Sequence, residues 1–176
     1  MNPVTKYWQG LSDRKQAGFH FAGTALVLLV TVWVAVAVTS YIFTWRQDQS
    51  ELLVQDPSGI QNAAASSGLS LGHFLVTDSF GLASYVVLAF LLAWSIKRLW
   101  KGSHIRLGKW FLGCFTLSFL LSWLLSYVGI FIGQEYAFGG GLGGRAGAAL
   151  VGWFLSKTGE IITGLLLVFC FVAWFY

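Results

Sequence analysis

The chain has 176 residues, 56% of them hydrophobic and only 10% charged, with a formal net charge of +4. A soluble domain carries roughly 25% charged residues, so a monomer this apolar has too little polar side chain to cover itself in water. The composition excludes the soluble globular class and predicts an all-α integral membrane protein with four transmembrane helices.

In chain order, the first span is predicted at about 19–45. Its apolar run is too long for a cleaved signal, whose core is about 7–15 residues. The polar stretch "RQDQSELLVQDPSGIQNAAASSG" comes next, with Asp56-Pro57 as a turn, and predicts an outer loop over 46–67. That loop has two readings, a plain connection or a docking surface for a periplasmic partner.

Residues 68–96 are helix-compatible but too long for one perpendicular span. As a straight helix they would reach about 44 Å, against a hydrocarbon core of about 30 Å. The predicted break is Thr77–Gly81, where Asp78 or Ser79 can cap a new helix. A short helix at 68–77 then precedes the second span, at about 79–97. A basic loop at 97–109 leads to the third span, at about 109–132.

A glycine-rich loop is predicted at 133–144. The 32 residues from Arg145 to Tyr176 raise the same length conflict, about 48 Å for one helix. Their break is expected at Ser156–Glu160, with Thr158 capping and Glu160 in the first turn, where the helix dipole favours an acid. This gives a short interfacial or re-entrant helix at 145–157 and a fourth span at about 159–176. The two halves share one plan, a weak internal repeat.

Charge fixes the expected orientation. Lys6, Arg14, Lys15, Lys97, Arg98, Lys101, Arg106 and Lys109 fall on one side, and Arg46, Arg145 and Lys157 on the other. The positive-inside rule places both termini in the cytoplasm. "KRLWKGSHIRLGK" is therefore a topology signal in contact with anionic lipid, not a nucleic-acid patch.

Residues 139–147 hold six glycines, including a formal G-x-G-x-x-G. A dinucleotide site needs a preceding strand and a βαβ unit, and here membrane segments flank the run. The spacing of Gly140, Gly144 and Ala148, and of Gly143 and Gly147, instead suits close helix packing. With Gly81 and Gly159 these glycines are the candidate packing and assembly residues, within the chain or between subunits.

Other chemistry is sparse. His20, His73 and His104 lie at different depths, which disfavours haem. Cys114 and Cys170 read as small buried hydrophobes. Asp78, Lys157 and Glu160 are the candidate interfacial polar residues, with Lys157 and Glu160 spaced to pair. No charge is expected in mid-span, so an ion path lacks stepping stones. Most of the nine tryptophans, including Trp8, Trp45, Trp100 and Trp110, suit aromatic belts. No catalytic motif, cofactor-binding residue or metal cluster is expected.

"SGIQNAAASSGLSLGHFLVTDSFGLASYVVLAFLLAW" and "GGRAGAALVGWFLSKTGEIITGLLLVFCFVAW" resemble the N-terminal membrane domain of FtsK/SpoIIIE DNA translocases. Asn62, Gly68, Gly72, Asp78, Phe80 and Gly81 match the family's polar segment, short helix and Phe-Gly break. Gly143, Gly144, Gly147 and Gly159 match the corresponding elements before its fourth span. The proline often found in the family's second span is replaced here by Ser84, Tyr85 and Val86. The resemblance implies a septal anchor in the bacterial inner membrane. That anchor would multimerise, contact division proteins, and reach DNA only through an ATP-driven motor beyond Tyr176. The alternatives are a small transporter or channel subunit, and a stand-alone membrane scaffold.

Overall fold

The structure, a computed structural model, describes residues 13–54, 59–101 and 107–176. Lys6, Trp8, the Asp56-Pro57 turn, His104 and Arg106 lie outside them. Every regular element described is helical: α1 (Asp13–Val54), α2 (Ala65–Gly72), a π-helical segment (His73–Ser79), a 3-10 turn (Gly81–Ala83), α3 (Ser84–Lys101), α4 (Leu107–Phe131), a second 3-10 turn (Ala137–Gly139) and α5 (Gly144–Phe175). Four of these helices, α1, α3, α4 and α5, are long and apolar enough to cross a membrane.

Small polar side chains share the interior with apolar ones such as Leu69, Val76, Trp123 and Leu167, and many large apolar side chains cover the outside. Thr77, Ser95, Ser118, Ser122 and Thr163 are buried, whereas Leu29, Phe43, Phe169 and Val172 are exposed. The exposed apolar surface and the buried small polar residues suit helices that pack through small residues and present hydrocarbon to lipid.

α1 extends nine residues beyond the predicted end of the first span. Residues 46–54, expected in the outer loop, continue the helix to Val54. They contain neither Gly nor Pro, and Gln, Arg, Glu and Leu are good helix formers. Thr44 adds a hydrogen bond to Asp48 one turn on. The chain then returns along α1. Asn62 Nδ2 donates to Ala37 O at 3.0 Å, the Ala63 amide to Ser40 Oγ at 2.9 Å, and the Gln61 amide to the buried Asp48 at 2.7 Å.

The short helix expected at 68–77 begins earlier, at Ala65, and widens into a π-helix from His73 to Ser79. The chain breaks at Phe80–Gly81, where Gly81 has φ +61°. Neither Asp78 nor Ser79 acts as the expected cap, since no side chain caps the 3-10 turn at Gly81–Ala83. Asp78 pairs with Arg145 instead. The basic residues Lys97 and Arg98 lie on α3 and Lys109 on α4, so the helices take up most of the predicted 97–109 loop.

The second half repeats the plan. The chain leaves α4 at Phe131 and turns back along it, until Ser122 Oγ donates to Gly143 O. That contact lies nine residues before the end of α4, a return of about 13 Å. α5 then breaks at Gly159, with φ 75° and ψ 177°. Thr158 does not cap there; its hydroxyl donates to Phe154 O at 2.9 Å and meets Thr163 at 3.1 Å. Before the break, Val151 and Phe154 pack on Trp123. After it, α5 runs antiparallel to α4, from Tyr127 Oη donating to Glu160 O to Trp174 Nε1 donating to Thr116.

Two glycines of α5 should respond oppositely to alanine. A methyl at Gly147 would overlap Ser122, whereas one at Gly152 meets nothing within 4 Å. Gly147→Ala should lower stability in detergent by about 1–3 kcal/mol, and Gly152→Ala should raise it by up to about 1 kcal/mol. Thermal melting of both variants checks this, and equal melting points would refute the packing role.

Candidate functional site

The two broken segments meet each other, and a polar junction forms there. The Leu82 amide donates to Leu142 O at 2.9 Å. Beside this bond the backbones come too close for side chains. A methyl on Gly81 would overlap Leu142 and Gly144, one on Gly140 would overlap Thr77 O, and one on Gly144 would overlap Ser79 O. Gly143 and Gly147 lie against Ser122 and Ser126 of α4.

Further side chains complete the junction. Thr77, fully buried in the π-helical segment, donates to Phe138 O at 2.7 Å. Phe138 has φ 56°, a left-handed backbone that a bulky residue adopts only under outside restraint, and this hydrogen bond is one such restraint. Tyr41 of α1, also fully buried, places its hydroxyl 2.8 Å from Thr77 Oγ1 and 2.9 Å from His73 Nδ1. Asp78 takes Arg145 Nη1 on Oδ1 at 2.7 Å and faces His73 Nε2 with Oδ2 at 3.6 Å. The chain of contacts thus runs from α1 through the π-helical segment to the first turn of α5.

The π-helical segment His73–Ser79 carries His73, Thr77 and Asp78 into the junction. The break at Phe80–Gly81 ends the helical ladder, and Leu75 O is taken by Ser84 Oγ at 2.8 Å across it. Burial holds the His73 imidazole below its usual pKa. The Asp78 carboxylate pulls it upward and the Arg145 guanidinium pushes it down.

Of the residues singled out in the sequence, Gly81, Gly140, Gly143, Gly144, Gly147 and Asp78 come together here. Gly159 does not; it sits exposed at the α5 break, where a Cβ would meet nothing within 4 Å. Lys157 and Glu160 are exposed and form no ion pair with each other; among the described residues Arg145–Asp78 is an ion pair, and His73–Asp78 becomes one only when the imidazole is protonated. Sequence reasoning missed the roles of Tyr41, Thr77 and Arg145, and considered His73 only as a haem ligand. A tyrosine inside an apolar run was the one available signal. No group of three or more His, Cys, Asp or Glu side chains among the described residues could hold a metal ion.

No protein-family model, curated protein or solved structure matches this chain.

The buried hydroxyl should matter more than the exposed ion pair. Thr77→Val leaves Tyr41 and Phe138 O each short of a partner, at a cost of about 1–3 kcal/mol. Arg145 is 62% exposed, so a double-mutant cycle of Asp78→Asn with Arg145→Gln should return about 0.2–1 kcal/mol. A larger coupling energy than the Thr77→Val effect would reverse this ranking.

Proposed function

We propose that the chain is the membrane anchor and assembly domain of a bacterial cell-division DNA translocase, the role its resemblance to the FtsK/SpoIIIE membrane domain implies. One observation carries the reading. All the glycines that make the resemblance except Gly159 stand where a side chain would collide with a neighbour: Gly68 against Asn62 and Ala64, Gly72 against Tyr41, Gly81 against Leu142 and Gly144, Gly144 against Ser79, and Gly143 and Gly147 against Ser122. A close-packed interlock of this kind suits a rigid anchor better than a path for ions.

On this reading the helices span the inner membrane with both termini in the cytoplasm, as eight Lys/Arg against three favour. The junction then faces the outer side. The segments 65–79 and 144–157 dip from that side as re-entrant helices, which is tolerated because protein surrounds their breaks. The domain uses no cofactor, catalyses nothing itself, multimerises, and contacts other division proteins at the septum. DNA is reached only through a cytoplasmic motor outside these residues.

A fluorescent fusion of the protein should collect at the division septum, and replacing residues 1–176 with an unrelated four-span module should abolish that recruitment. Unchanged localisation after the swap would sink the anchor reading. Asp78→Asn and Glu160→Gln together should preserve complementation of a loss-of-function strain, whereas loss would favour ion-coupled transport.

A further inference from the structure

The hydrogen bonds of the junction share a fixed number of protons. Phe138 O can only accept, so the single hydroxyl proton of Thr77 lies on that bond. Thr77 Oγ1 must therefore accept from Tyr41, which commits the phenolic proton to the 2.8 Å bond between them. Tyr41 then offers only lone pairs to the imidazole, and His73 Nδ1, 2.9 Å away, is the donor. In neutral His73 the other nitrogen, Nε2, is bare. It faces Asp78 Oδ2 at 3.6 Å.

A lone pair opposite a carboxylate repels it, and a proton placed between them reverses the sign. Asp78 can accept that proton's bond without releasing Arg145, which holds the other oxygen, Oδ1. We propose that His73 is a proton-operated clasp: neutral, it binds only Tyr41 of α1; protonated from solvent at Nε2, it also binds Asp78 and ties α1 to the ion pair that reaches α5.

The surroundings leave the imidazole few competitors. Tyr41 faces it from α1, Asp78 from its own segment and Arg145 from α5. α2 and the two 3-10 turns packed on the segment carry no titratable side chain. α3 brings Tyr85, whose hydroxyl is held by Thr39 at 2.8 Å. The His73 side chain is 22% exposed, and its access to protons rests on the outward-facing junction proposed above. Burial outweighs the pull of Asp78, and the clasp therefore engages only as pH falls below the ordinary imidazole value of about 6.5.

The test is nitrogen-15 NMR of the histidine rings, on the full chain in lipid nanodiscs, with His73 assigned by its loss in His73→Gln. Well above pH of about 6.5 its ring shifts should report a proton on Nδ1; a proton on Nε2 would overturn the assignment. In Tyr41→Phe, which cannot accept, the proton should move to Nε2, and an unmoved proton counts against the relay. On acidification the wild-type ring should titrate below its ordinary value, and Asp78→Asn should lower the midpoint further. A midpoint indifferent to Asp78→Asn would remove that carboxylate from the clasp.

Discussion

A broken helix packed against other segments must find new partners for the backbone groups that the break releases. This chain meets the requirement by setting its two halves against each other. Leu82 takes Leu142 O, Thr77 takes Phe138 O, Ser84 takes Leu75 O and Ser122 takes Gly143 O. The glycines answer that requirement. They let one backbone approach another closely enough for these bonds to close, so the run at 139–147 is a consequence of the interlock. Asn62, Tyr41 and Arg145 then bind the same region to α1 and α5.

The same small-residue spacing that could join subunits is largely used within the chain. Gly143 and Gly147 are filled by Ser122 and Ser126, and Gly144 by Ser79 and Gly81. Ala148 and Gly152 stay exposed on the other side of the same helix. Helix spacing alone does not distinguish the two uses, because a glycine face carries no label for its partner.

Length arithmetic makes the breaks legible in the sequence. A helix-compatible run longer than a bilayer has to bend, and glycines at 81 and 159 offer the backbone freedom to do so. The continuation of α1 to Val54 is hidden because polar residues suggest a loop, although nothing in them stops a helix. Thr158 resembles a cap, yet a threonine hydroxyl can equally take the carbonyl four residues back. The junction stays out of reach for a different reason. Tyr41 lies 32 residues from His73, and Asp78 lies 67 from Arg145; each looks ordinary in its own segment, Arg145 as a topology charge and His73 as a lone imidazole. Only the return of the chain along α1 and α4 brings them together, and no local pattern encodes that return.

The two breaks differ in support. Gly81 is enclosed by Leu142, Gly143 and Gly144, whereas Gly159 has open space around it and only the Thr158–Thr163 contact and Tyr127 beside it. In mechanical terms the molecule has one welded joint and one sprung joint. The angle at Gly81 is set by its own neighbours, whereas that at Gly159 is set from a distance, by the grip of α4 on the last segment through Tyr127, Trp123 and Thr116.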